Sequence, residues 1–264
     1  MELRRLVPFG LRVLAVRLRR EPEIALLRRT CSSKKSGEPF PHLLAEHVSP
    51  LRRKTTTYGE KMQAGKERNA ALVAKALDGL VIEPYQLFSY HAVVGNATRR
   101  RGFLPGPEMH MGKLVFGVGG GACSVSNMLY WLAIQSGMKI TERHRHGLDL
   151  FPDHGRTVPF ACGATVFYNQ ADLRFENPLQ VPVRLSFEIA DDALIGRLSA
   201  ERDPGYRFQV VERDHRFWSE AGKTFRENRI LRRVTLANGQ VILEEELAHN
   251  FAQVLYDVET EEAL

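Results

Sequence analysis

The feature that most constrains this chain is a change of hydrophobic period at about residue 163. Beyond it the apolar residues recur every second position. In VPVRLSFEI, Val183, Leu185, Phe187 and Ile189 alternate with Arg184, Ser186 and Glu188, the pattern of a half-buried strand. Further strand-like runs stand at 164–168, 172–176, 193–199 and 206–212, a spacing that predicts an antiparallel meander. Asn238-Gly239 sits between β-rich flanks and predicts a hairpin whose two-residue turn has positive φ at both positions.

Before that change the period is helical. YGEKMQAGKERNAALVAKALDG, residues 58–79, reads as an Ala-rich helix stopped by Gly79. In GVGGGACSVSNMLYWLAIQSG, residues 117–137, Val125, Met128, Leu129, Leu132 and Ala133 form a core-facing stripe, and Gly137 is a suitable stop. Helices precede strands, so the class is α+β: a glycine-rich loop and a cysteine-bearing helix packed on a mainly antiparallel sheet. The expected organisation is a basic helical arm and linker over 1–57, a core domain over 58–190 and a β-rich C-terminal extension over 191–264.

Charge is concentrated in the arm. Residues 1–60 carry 13 Lys/Arg against 6 Asp/Glu, and the remaining 204 carry 24 against 25. Arg12 and Arg17 interrupt the apolar run of the arm well short of the roughly 18 residues needed to cross a bilayer. No small-residue cleavage site follows, which argues against a signal peptide. Arg among Leu and Val suits a helix lying in the headgroup plane of an anionic membrane. It suits equally a basic helix packed on its own domain. Nucleic-acid binding has no recognisable motif or aromatic platform behind it. Cys31, Cys123 and Cys162 are too few and too scattered for a disulfide framework. A reducing, cytoplasmic location is expected, with peripheral contact at the inner membrane surface through the arm.

The glycines ahead of Cys123 have three readings. A Walker A loop needs Lys and Ser/Thr after its last glycine, where Ala122 and Cys123 stand. Gly117 to Ala122 fits a dinucleotide fingerprint, with Glu142 about twenty residues on, but strands without a second βαβ unit follow. No cofactor is therefore expected. The second reading is a nucleophile: a helix N-terminus favours thiolate at Cys123, and Gly120 and Gly121 leave room for substrate backbone. Ser126, Asn127 and Tyr130 then share a polar, cleft-lining face with Cys123, and Ser124 follows it in sequence. A thiol nucleophile needs a histidine and an orienting group, and the downstream stretch offers His144, His146 and His154 with Asp149, Asp153 and Asp172. Spacing does not say which histidine faces the cysteine. In the third reading the glycines are a turn and Cys123 is a small buried hydrophobe.

Four stretches in order, FSYHAVVG (88–95), GGGACSVSNMLYW (119–131), ERHRHGLDLFPDHGRTVPF (142–160) and GATVFYNQADLRFEN (163–177), resemble the VanW family. ERDHRFWSEAGKTFRENRILRR resembles the C-terminal end of its shorter members. The resemblance implies a link to the cell wall or the glycopeptide (antibiotic-resistance) response, and it lifts Cys123 and His146 onto motif positions, with Asp172 on the family's Asp-Leu. The chain departs from the family at Ser124, where Gln is usual, and at Gly163, where many members carry Asp. The resulting expectation is a Cys-His hydrolase or transferase acting on a peptide or amide of cell-wall origin. In it Cys123 is the nucleophile, His146 the general base and Asp172 the orienter. The alternative is a non-catalytic accessory module that binds a wall precursor or a partner protein in the same cleft. His144, His146, Asp149, Asp153 and His154 also have donor chemistry suited to a metal, although solvated histidines are the commoner meaning of such a run and no metal is assigned. Arg99-Arg100-Arg101 reads as a solvated loop or a grip for an acidic ligand.

Overall fold

Helices come first and long strands later, as the change of period requires. The computed structural model describes residues 8–52, 59–110, 113–145, 147–150, 152–153 and 157–258. The elements in chain order are α1 (Phe9–Thr30), β1 (His42–Pro50), α2 (Glu60–Leu77), β2 (Val81–Ile82), β3 (Leu87–Ser89), α3 (Tyr90–Val94), β4 (Pro105–His110), β5 (Lys113–Val118) and α4 (Cys123–Gln135). Then follow β6 (Lys139–Glu142), β7 (Leu148–Asp149), β8 (Arg174–Glu176), β9 (Val183–Ala190), β10 (Ala193–Ala200), β11 (Tyr206–Glu220), β12 (Lys223–Leu236) and β13 (Val241–Val254). The strands form four sheets, ordered β1-β10-β9-β2, β11-β12-β13-β7, β3-β8-β6 and β4-β5. Every pairing is antiparallel except β13 with β7. The class is α+β.

α4 is the spine of the core. The expected stripe of Val125, Met128, Leu129, Leu132 and Ala133 is buried, but so are Ser126, Tyr130, Trp131 and Ile134. A helix apolar almost all round packs on several sides, and α4 contacts β1, β10, α2, β6 and β11. α2 ends before Gly79, whose φ is +78°, and Gly137 stops α4 with the same left-handed φ.

The sheet built on β9 and β10 crosses both boundaries expected from the sequence. β1, from the arm, pairs with β10 along its whole length, and β10, from the extension, lies between β1 and β9. Pairing partners so far apart in sequence are invisible to local pattern.

Two local expectations are corrected. Residues 164–168 form no strand; beyond irregular backbone they contribute an isolated antiparallel bridge between Phe167 and Ala171. The 234–243 hairpin forms, but its turn has three residues. The Gly239 amide donates to Leu236 O at 2.9 Å, and Gly239 has φ +86° while Asn238 is not in the left-handed region. Asn238 instead accepts from the Gln240 amide through its side chain at 3.0 Å, and glycine alone supplies the left-handed position of a three-residue loop.

The C-terminal half of α1 is docked. Ile24, Leu27 and Cys31 pack with Leu87 and Ala92. Arg20 donates to Glu142 at 2.7 Å, and Glu23 pairs with Arg174. No helix among the described residues is long and apolar enough to cross a membrane.

Candidate functional site

The glycines ahead of Cys123 let backbones touch. A Cβ on Gly120 would lie 2.0 Å from Gly106 O, and one on Gly106 would lie 2.3 Å from Gly120 O. Gly121, with φ +87°, sits on the Lys66 side chain, and Gly65 of α2 sits on Pro105 O. Asn69, buried in α2, completes the joint: its amide donates to Leu104 O and Gly120 O, both at 2.8 Å, and its oxygen accepts from the Leu104 amide at 2.9 Å. The space beside Gly120 and Gly121 is thus occupied by β4 and α2. The sequence shows the glycines but not Asn69, which lies in an ordinary helical pattern.

Cys123 opens α4 as expected and keeps part of its surface accessible. Its thiol is nevertheless pushed above its ordinary pKa. Burial is the main cause and the Glu108 carboxylate adds to it, against the pull of the Val166 amide and the Ser126 hydroxyl. The expectation of an acidified thiol is corrected here, for a local reason. The amides of Ala122, Ser124 and Val125 already donate to Gly119 O, Gly121 O and Ala122 O, each at 3.1 Å, so these groups of the turn and first helical residues do not serve the sulfur. Tyr90, buried nearby, has its ionisation opposed by burial and by Cys123 and Asp172.

The remaining positions on this face hold the segment that follows residue 160. Ser126 is fully buried and donates to Ala164 O at 2.7 Å, and Asn127 accepts from the Ala164 amide at 2.9 Å. The Ser124 hydroxyl returns to Gly121 O at 2.7 Å. Tyr130 is buried beneath the Arg143 guanidinium, 4.1 Å from its ring centre, and Arg143 also donates to Gly163 O and Ala161 O. A side chain at Gly163 would meet Asn127 Oδ1 at 2.6 Å. Ser126 and Tyr130, expected to line a cleft, are therefore interior.

Asp172 is fully buried and its two oxygens accept four bonds: from the His91 and Leu173 amides, the Ser89 hydroxyl and Arg174 Nε, at 2.6–3.0 Å. That fills a carboxylate's acceptor sites, so it ties β3, α3 and β8 together. His144 lies beyond the end of β6; its ring meets Glu142 at 2.9 Å and its carbonyl accepts from the Thr165 amide. His146 and His154 lie outside the described residues. The buried histidine near this region is His91, whose Nε2 meets Ala171 O at 2.8 Å.

Asp149 and Asp153, whose donor chemistry also suited a metal, turn to Arg226 of β12. This guanidinium is almost completely buried, sandwiched between the rings of Phe160 and Phe217 at 4.4 and 4.8 Å. It also donates to His215 Nε2 at 2.8 Å, and Tyr256 donates to Asp149 at 2.8 Å. A buried cation between the two aspartates disfavours a second one there. Among the described residues no three His, Cys, Asp or Glu side chains converge to hold a metal ion. Arg99–Arg101 form one exposed 3-10 turn, in which Arg101 donates to Asn96 O.

Residues 65–199 match the sequence model of the family described as "VanW like protein". The chain is 27% identical over 214 residues to "Vancomycin B-type resistance protein VanW" of Enterococcus faecalis (strain ATCC 700802 / V583), covering 80% of this chain and 78% of that protein. It is 35% identical over 130 residues to "Uncharacterized protein YoaR" of Bacillus subtilis (strain 168), covering 48% of this chain and 40% of that protein. No solved structure matches.

Proposed function

Because the chain belongs to the VanW family, we propose that it is an accessory protein of a bacterial cell-envelope response to glycopeptides. In this reading it works by binding a wall precursor or peptide beside Cys123, without a resting thiolate there. The link to glycopeptides rests on the relative named for vancomycin resistance. The observation that carries the binding reading is that the Ala122, Ser124 and Val125 amides are spent on Gly119 O, Gly121 O and Ala122 O; burial and Glu108 push the thiol's pKa up as well, and the nucleophile is the thiolate. The groups around it support the same reading. Asp172, Ser126, Asn127 and the glycines are taken up by structural contacts, so a ligand here meets the accessible part of Cys123.

A second reading keeps Cys123 as nucleophile with His146 as general base on a peptide or amide of cell-wall origin. The pull of the Val166 amide towards the thiolate favours it. The discriminating measurement is the pH dependence of Cys123 alkylation in a Cys31→Ala, Cys162→Ala background, together with calorimetric titration of a peptidoglycan stem peptide. The binding reading expects a midpoint above the roughly 8.5 of an ordinary thiol and stem-peptide binding that survives Cys123→Ala. A midpoint well below that value, abolished by His146→Ala, transfers the site to the enzyme reading.

A further inference from the structure

We propose that the outward face of α1 is a membrane-surface contact that lays the protein on anionic lipid. The inference is independent of the chemistry at Cys123.

α1 carries two apolar faces. The inner one is used: Ile24, Leu27 and Cys31 are buried against the body. On the opposite side Leu11, Leu14, Leu18 and Leu26 are 56%, 50%, 65% and 61% exposed, and Ala15, Pro22 and Ala25 between them are exposed as well. The spacing of 11, 14, 15, 18, 22, 25 and 26 follows the helical repeat, so these residues form one stripe along roughly 23 Å of helix. A stripe this long is not a scatter of single exposed leucines.

Charge sorting says what covers it. The acids of α1 point inward or sideways to the body: Glu23 pairs with Arg174 and Arg20, and Glu21 meets Asn169, Tyr168 and Arg28. Arg19 and Arg29, which flank the stripe, are exposed, and neither makes an ion pair among the described residues. Apolar residues bordered by unneutralised arginines, with the acids of the helix paired at its flanks, are the chemistry of a helix lying in the headgroup plane of anionic lipid. A second copy fits poorly, because two such stripes would bring like charges together. A protein partner also fits poorly, because the stripe holds no aromatic anchor. α1 is not apolar enough to span a bilayer.

The test is co-sedimentation of the full chain with vesicles of phosphatidylglycerol and phosphatidylcholine, against phosphatidylcholine alone. The expected result is binding to the anionic vesicles that weakens as salt rises. The Leu14→Asp, Leu18→Asp double variant should bind at least tenfold more weakly, and Arg19→Glu, Arg29→Glu should lose the preference for anionic lipid, each with unchanged melting temperature. The proposal is overturned if the wild-type chain ignores anionic vesicles or if the leucine variant binds them as well. It is also overturned if the chain dimerises without lipid and the leucine variant abolishes the dimer, which assigns the face to a second copy.

Discussion

α4 is held at two joints built on opposite principles. At its N-terminus the joint is made by leaving side chains out: Gly65, Gly106, Gly120 and Gly121 bring α2, β4 and the turn into backbone contact, with Asn69 bonding across the gap. At its C-terminal end, and under the segment that follows β7, the joint is made by long polar side chains from the sheet of β11, β12 and β13. Arg232 donates to Met138 O at 2.9 Å and to Ile134 O at 3.4 Å, Asn228 donates to Phe160 O at 3.0 Å, and Arg226 takes Asp149 and Asp153. The second joint lies largely outside residues 65–199, which match the family, yet it clamps one of the stretches that carry the family resemblance. The difference teaches that motif residues in this chain serve assembly at least as much as chemistry.

Breaking the polar joint should cost most. Arg226→Ala leaves Asp149, 5% exposed, without its buried cation, a change that typically costs about 3–5 kcal/mol. Arg226→Met, which keeps packing between Phe160 and Phe217, should still destabilise the chain unless Asp149→Asn accompanies it. Denaturant melts of the single and double variants check this, and additive losses would show that the two groups do not act as a pair.

The glycine joint comes next. Gly120→Ala puts a methyl 2.0 Å from a carbonyl oxygen, so backbone must move, and a loss of about 3 kcal/mol is expected. Gly147→Ala, where a Cβ meets nothing within 4 Å among the described residues, is the control and should change stability by less than about 0.5 kcal/mol. Equal melting of Gly120→Ala and wild type would remove the backbone contact from the argument.

The two joints differ in legibility as they differ in construction. The glycines, the Cys123 helix and the stop at Gly137 are visible in sequence because each is a local signal. Their purpose is not, because Gly106 and Asn69 touch Gly120 only through the fold. The polar joint is harder still. Arg226, Asn228 and Arg232 share the buried face of β12 with Ile230 and Val234, and the partners that take up their charge and polarity come from distant parts of the chain. Of the three histidines singled out in sequence only His144 lies among the described residues, and Glu108 and Tyr90, the neighbours that bear on the thiol, carry no signal of their own.

A third expectation concerns acid stability where α1 meets the body. Burial opposes the charge of Glu142, but bonds from Arg20, His144 and the Asp172 amide, with Arg174 beside it, hold its pKa down to about 2 from an ordinary 4.5. A carboxylate depressed in the folded state contributes stability that is fully present above about 4.5 and is lost as pH falls towards about 2. The shift corresponds to an effect on the order of 3 kcal/mol. Melting temperature should therefore fall through this window in the wild-type chain and flatten in Glu142→Gln, where the titrating group is gone. A parallel fall in both would place the acid sensitivity elsewhere.

The smallest expected change sits between the joints, at the thiol. Asn127 accepts from the Ala164 amide and Ser126 donates to Ala164 O, and two residues on, the Val166 amide faces the sulfur of Cys123. The helix face expected to line a cleft thus holds down the strand-like segment that covers the thiol. Asn127→Ala removes one partially exposed hydrogen bond, which costs about 1 kcal/mol, while loosening the segment at 163–168. Cys123 should then alkylate several-fold faster at fixed pH in the Asn127→Ala chain, with Cys31 unchanged, because the barrier removed is local cover and not global stability. If alkylation of Cys31 and Cys123 rises together, the variant has only opened the whole fold. If neither changes, the 163–168 segment does not govern access to the thiol.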